Sequence, residues 1–253
     1  MNSGHIDDIA CLDKHNFWFR SRQRYINSLM VKKQAKVLDI GCGSGGNMLN
    51  FAGRGHSVLG IDKDDAALAH CQQRGLKVVK MDLDEGNKPK LDFVPDYITA
   101  LDCIEHIKMP VQLLKNLRTF STNDTRLIIT VPAYSYFWSE WDVYLGHVKR
   151  YSPEVLRKEL QESGWELERL DHIHFLLVIP ALLQRKILQP LMGIFSKKQP
   201  DAPKFFDPGK IGNILLYWCY APEFILFDLK IKLPAGLSIL AVARPIKKEG
   251  GIE

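Results

Sequence analysis

The sequence has no CxxC pair. Its five cysteines, Cys11, Cys42, Cys71, Cys103 and Cys219, form an odd and scattered set. That argues against a disulfide framework and against the common zinc spacings, and it points to a reducing compartment. Long runs of one charge are missing too. Lysine and arginine total 34 against 29 acidic residues, a net charge of +5, but they are spread along the chain. A nucleic-acid surface is therefore not expected. The opening stretch MNSGHIDDIACLDKHNFW is polar and has none of the apolar core of a signal peptide. No apolar segment reaches the roughly 18 uninterrupted residues of a spanning helix. Repeats and low-complexity tracts are absent as well. These absences leave a cytoplasmic, enzyme-sized chain, at most peripheral to the inner face of a membrane.

What is present is an alternation of strands and helices. The 253 residues can bury one full core. We expect a single domain over 1–253, with a leading helix (15–33), a core (36–175), an apolar helical insertion (176–236) and a last strand (238–244). Within the core, KVLDI (36–40) runs into Gly41, Gly43, Gly45 and Gly46 and then a helix. Strands follow at 57–62, 77–81, 96–101, 126–131 and 165–174, with helices at 64–74, 111–120 and from Pro153 behind a Ser152 cap. Strands separated by helices predict a doubly wound, Rossmann-like α/β sheet, mainly parallel, with an antiparallel last strand.

Gly41, Gly43 and Gly46 satisfy GxGxxG, a pattern shared by nicotinamide dehydrogenases. Asp39 separates the alternatives, because a carboxylate beside the loop repels a pyrophosphate and attracts a cationic methionine moiety. Asp62 ends the second strand at the spacing of an acid that accepts from both ribose hydroxyls, which either cofactor would satisfy. Asp82 can accept from an adenine amino group while Leu83 packs on the ring. Leu101, Asp102 and Cys103 end the fourth strand, where this fold places ligands.

VLDIGCGSGG, GIDKD, MDL and LDCIEHI, in that order, resemble the successive motifs of class I S-adenosylmethionine-dependent methyltransferases, in particular enzymes of the ubiquinone-biosynthesis type. HNFWFRSRQRYI and PAYSYFWSEWDVYLGHVKRYS resemble bacterial methyltransferases associated with glycans and lipids. The resemblance implies S-adenosyl-L-methionine as cofactor and S-adenosyl-L-homocysteine as product. It puts Asp39, Gly41 and Gly43 at the methionine end, Asp62 at the ribose, Asp82 and Leu83 at the adenine, and Asp102 on the cofactor's open side.

In-line methyl transfer needs alignment and exclusion of water, and no metal is expected. A hydroxyl acceptor would gain from a base, for which Glu105, His106 and His147 are the candidates. Tyr134, Trp138, Arg150 and Tyr151 are the expected substrate contacts, aromatic walls with a basic rim. Arg22 or Tyr25 of the leading helix could touch the cofactor's carboxylate. Three apolar stretches, FLLVIPALL, ILQPLMGIF and ILLYWCYAPEFILF, read first as extra helices packed on the end of the sheet, with a lid, a membrane-edge anchor aided by Lys186, Lys197 and Lys198, or a homodimer interface as the other uses. The expected activity is methylation, on oxygen, of a small-molecule, glycan or lipid-linked acceptor. The alternative is a non-catalytic, cofactor-binding partner protein of the same fold.

Overall fold

A computed structural model describes residues 3–85, 88–184 and 206–247. Its centre is a seven-stranded sheet in the order β3-β2-β1-β4-β5-β7-β6. The strands are β1 (Lys36–Ile40), β2 (Ser57–Asp62), β3 (Lys77–Lys80), β4 (Tyr97–Leu101), β5 (Arg126–Pro132), β6 (Trp165–Ile173) and β7 (Ser238–Pro245). β1 to β5 pair in parallel, and β7 runs antiparallel to both of its neighbours. The antiparallel last strand is thus as expected.

Central strands covered on both faces must be apolar almost throughout. All five residues of β4 are buried, as are four of the five in β1. After β3 the chain returns to the other side of β1 and begins β4. The order reverses there, and a crevice opens beyond the carboxyl ends of β1 and β4, directly above Ile40 and Leu101.

Eight helices in the described residues carry ranges used below. They are α1 (Ser3–Leu12), α2 (Phe17–Leu29), α3 (Gly46–Gly53), α4 (Asp65–Gln73), α5 (Pro110–Arg118), α6 (Glu140–Leu145), α7 (Pro153–Glu162) and α8 (Val178–Leu183). Two more, α9 (Gly209–Cys219) and α10 (Ala221–Asp228), precede β7. Ser152 caps α7 as the sequence indicates, accepting the Val155 N–H at 3.3 Å with Pro153 in the first turn. Asn16 caps α2, and Phe17, Ser21, Arg22, Tyr25 and Ile26 form its buried face.

Two elements differ from expectation. The leading helix stops at Leu29 rather than at residue 33. Tertiary bonds pull the chain off the helical path: the Lys32 N–H donates to the Tyr97 hydroxyl at 3.1 Å, and the Lys32 ammonium pairs with Asp96 at 2.5 Å. A further helix, α1, precedes it in a stretch read as merely polar; its Ile6 is 1% exposed. The insertion is helical where it is described, and Pro222 separates α9 from α10 by starting the second helix. The ILQPLMGIF stretch, with Arg185, Lys186, Lys197 and Lys198, lies outside the described residues. No helix among the described residues is long and apolar enough to cross a membrane.

Candidate active site

A cavity of about 1320 Å³ occupies the crevice, walled by the glycine loop, the ends of β2 and β4, α1, α2, the α6 loop and the insertion helices. Gly41 adopts φ +66°, and a Cβ there would stand 2.6 Å from the Cys103 sulfur, so the loop can pass β4 this closely only without a side chain. Gly43, at φ +53°, has nothing within 4 Å of where its Cβ would be; its bare backbone faces open space that a ligand can enter.

Asp62 fixes this loop as well as facing the cavity. Its carboxylate accepts the Gly43 N–H at 2.8 Å and the Asp64 N–H at 3.0 Å. Asp82 and Leu83 stand further along the same wall. The Asp84 N–H bonds Asp82 and holds it below the usual carboxylate range, with Lys63 adding to the effect. Asp39 sits one layer behind the wall. It is 1% exposed, one oxygen accepts the Thr99 hydroxyl at 2.5 Å, and the other has no partner. Burial pushes its carboxyl up to about 7 against the opposing pull of Thr99 and Arg22.

Asp102 ends β4 in a left-handed conformation, φ +51°, that a non-glycine residue adopts at a cost. Its surroundings hold it there. Its N–H donates to the Thr130 carbonyl at 2.9 Å, Thr130's hydroxyl donates to its carboxylate at 2.8 Å, and Arg22 pairs with it from α2. Burial raises Asp102, but Arg22 and Thr130 outweigh it and leave the carboxyl below its ordinary value. Arg22 therefore spans from α2 to the end of β4 inside the cavity. Tyr25, its suggested alternative, is fully buried edge-on against Phe224 and Phe227 and is absent from the wall.

Across from the glycine loop, the three expected bases come together. Glu105 and His106 form a single 3₁₀ turn after β4, and the loop following α6 brings in His147. The Val148 N–H donates to the Glu105 carbonyl at 2.8 Å and fixes that approach. His147 Nδ1 lies 2.8 Å from Asp142 and its Nε2 lies 4.0 Å from Glu105. Since an ionised carboxylate only accepts, His147 carries its proton on Nδ1, which leaves Nε2 as the basic atom of a ring that lines the cavity. His106 donates from Nδ1 to the Gly146 carbonyl at 3.2 Å; burial and the neighbouring His147 push its pKa down to about 4. Glu105 is fully buried with both oxygens unpartnered, and burial, then the Asp102 charge, raises it well above the carboxylate range. One ligating atom from each of the three lies within 4.8 Å of the others, so the same side chains could also hold a cation.

Asp142 organises this wall and was not singled out from sequence. It closes a capping box with Ser139 and accepts from His147 and, at 2.7 Å, from Arg150. Those bonds outweigh its burial and hold it well below the ordinary range. The Ser-x-x-Asp spacing at the start of α6 was the available signal. Arg150 reaches the cavity, as do Trp141 and Tyr144 of α6. The other three expected substrate contacts lie elsewhere. Tyr134 turns to His172, with 2.7 Å between its hydroxyl and the ring nitrogen; Trp138 is 39% exposed and off the wall; Tyr151 is wholly buried in the core. In each case, packing against β6, solvent or β5 takes the ring away from the crevice.

α1 closes the cofactor side. Arg74 donates to Asp13 at 2.5 Å, to the Ser44 carbonyl at 2.9 Å and to the Ala10 carbonyl at 2.8 Å, tying α1 to α4 and the glycine loop.

A seven-stranded sheet in this order, with a crevice and a bare glycine loop at its switch point, defines a class I methyltransferase fold. The chain belongs to the methyltransferase domain family, whose profile matches residues 13–170. A probable S-adenosylmethionine-dependent methyltransferase of Mycobacterium tuberculosis is 25% identical over 160 residues, 62% of this chain and 58% of that protein. The chain thus spans less than two thirds of that relative. A ubiquinone biosynthesis O-methyltransferase of Acinetobacter baumannii is 33% identical over 91 residues, 33% of this chain and 38% of that one. Among solved structures, a putative methyltransferase of Haloferax volcanii in complex with its Trm112 activator matches with a TM-score of 0.62 at 16% identity, covering 97% of each chain. Phosphoethanolamine N-methyltransferase 2 of Haemonchus contortus, bound to S-adenosyl-L-methionine, matches at 0.61 and 18% identity over 97% of this chain and 58% of that one. These last two likenesses concern the fold.

The residues present fit S-adenosyl-L-methionine. Gly43 leaves a cradle that any Cβ would fill, Asp39 has an orphaned oxygen behind it, and the carboxylates along the wall suit a cationic ligand better than a pyrophosphate.

Proposed function

We propose that the protein transfers the methyl group of S-adenosyl-L-methionine to an oxygen of an amphipathic acceptor, a small molecule, glycan or lipid-linked molecule. The observation that carries this reading is the Asp142–His147 dyad, whose imidazole lines the same cavity as the glycine loop. Bound there, the cofactor supplies an electrophilic methyl carbon on its sulfonium. Gly41, Gly43, Asp62, Asp82 and Leu83 hold and orient it. Asp102, locked by Arg22, faces its open side. α1 and α2 exclude water from above. Asp142 fixes the tautomer of His147 and stabilises the imidazolium as Nε2 takes the acceptor's hydroxyl proton.

The acceptor end supports an amphiphile. Trp141, Tyr144, Leu177, Ala181 and Leu216 give it apolar walls, and Arg150 gives it a basic edge. The test is transfer of a labelled methyl group from S-adenosyl-L-methionine into cell extract, with products partitioned into lipid, small-molecule, protein and nucleic-acid fractions. His147→Ala lowers the rate by about 10²–10⁴-fold while cofactor-induced thermal stabilisation persists. Dialysis against EDTA leaves the rate intact; a loss restored by divalent metal would instead put an ion among Glu105, His106 and His147. An unlabelled extract despite cofactor binding would favour the non-catalytic partner reading.

A further inference from the structure

α9 is amphipathic in an unusual sense, because both of its faces are apolar and only one is covered. The inner face is anchored by Asn213, which is 1% exposed and accepts the Phe17 N–H at 2.8 Å, and it presents Leu216 to the cavity. The outer face carries Ile211, Ile214, Leu215 and Trp218, exposed by 76, 49, 62 and 65%. That spacing of i, i+3, i+4, i+7 is one continuous stripe. Just beyond it, Ile225 of α10 and Leu229 repeat the pattern one turn apart, exposed by 60 and 65%. Soluble proteins rarely leave such a stripe in water without a partner.

Both signs border the stripe, but the acids there are engaged: Asp207 accepts from the Asn213 amide at 2.6 Å and from the Gly209 N–H at 3.1 Å. Lys210, Lys230 and Lys232 are exposed. The acids of the same helices are spoken for. Glu223 turns inward to the backbone N–H groups of His174, Phe175 and Leu176, and Asp228 pairs with Arg24 at 2.5 Å. Arg20 lies on the Tyr217 ring, 4.5 Å from its centroid. A second copy would have to meet these lysines with acids that are already engaged, whereas an anionic phospholipid surface complements both the stripe and its rim.

We propose that the outer face of α9 and α10 docks on an anionic bilayer. Helix α8 follows the same division: Leu177, Pro180 and Ala181 in and before it line the cavity, while Ile179 and Leu183 point out with 69 and 48% exposure. The wall between acceptor cavity and docking face is thus one helix thick, which brings the cavity to the bilayer's edge. Docking stands independently of the methyl-transfer reading; only delivery of an acceptor from the membrane rests on it.

The experiment uses the full chain with phosphatidylcholine vesicles, with and without phosphatidylglycerol, followed by co-sedimentation and tryptophan emission. Binding to the anionic vesicles should weaken as salt is raised, with a blue shift that Trp218→Phe removes. Leu215→Glu with Trp218→Glu, and separately Lys210→Glu with Lys230→Glu and Lys232→Glu, should each lower binding at least about ten-fold while cofactor-induced thermal stabilisation stays unchanged. Three outcomes would overturn the proposal: no binding of the native chain to anionic vesicles, binding that survives the stripe substitutions, or a stripe variant that turns a dimer into a monomer with vesicle affinity unaltered. The last would make a second copy the occupant. Unchanged label transfer alongside lost vesicle binding would separate the docking surface from the catalytic reading.

Discussion

At the scale of single residues, Asp39 couples the site to stability. Its carboxyl titrates near 7 in the folded chain and near 4 when unfolded. Between those values the unfolded chain has already lost a proton that the native state keeps, so native stability falls as pH rises through the window. The charged form carries a burial cost of up to roughly 4 kcal/mol, at 1.36 kcal/mol per pH unit. Without cofactor, Asp39→Asn should therefore melt above the native protein at pH 8 and lose that advantage by pH 4. Melting curves across that range test it, and a difference independent of pH would remove Asp39 as its source. The same residue shows how sequence and structure divide. Its charge beside a glycine loop was legible from KVLDIG, because the local motif carries it. Its depth was not, because Thr99 comes from a different strand.

At the scale of elements, the clamp of Asp13, Ser44 and Arg74 keeps α1 over the glycine loop. Arg74→Ala leaves Asp13 buried without its cation, a change that costs about 3–5 kcal/mol when no relaxation is available. Here α1 can swing away instead. We expect lost hydrogen-exchange protection over residues 3–12 and cofactor affinity about ten-fold weaker, or 1.4 kcal/mol, with little change in the melting of the sheet. Unaltered protection of α1 would mean that Ile6, the Asp7–His70 contact and the Ser44–Asp13 bond suffice to hold it. This element escaped the sequence reading because its apolar side is narrow and its other anchors lie some 60 residues away. β1, β2, β4 and β5 were readable for the opposite reason: buried parallel strands need continuous apolar runs, and each run is local. The α6 loop is intermediate. Its aromatics suggested a substrate wall, yet Trp141 and Tyr144 line the cavity while Tyr134, Trp138 and Tyr151 do not.

At the scale of the whole molecule, the insertion helices are joined to the sheet through Glu223. Its carboxylate accepts three successive backbone N–H groups at the end of β6, at 2.6, 3.1 and 3.5 Å. Glu223→Ala strips those buried donors, so we expect a loss of at least about 1–3 kcal/mol in denaturant unfolding and a cap of α8 to α10 that opens before the sheet. A variant as stable as the native chain would show that Phe224 and Phe227 suffice. The sequence by itself determined the alternation of strands and helices, the antiparallel last strand, the glycine loop and the acids at the ends of β2 and β3. Each of those is written in a short stretch by period, spacing or backbone demand. Tertiary structure alone decided which aromatic rings face the cavity, that Arg22 meets Asp102, that Asp142 organises His147 and that α9 turns one apolar face inward and the other out. Those arrangements join residues from distant parts of the chain, and only packing of the helices on the twisted sheet sets the distances between them.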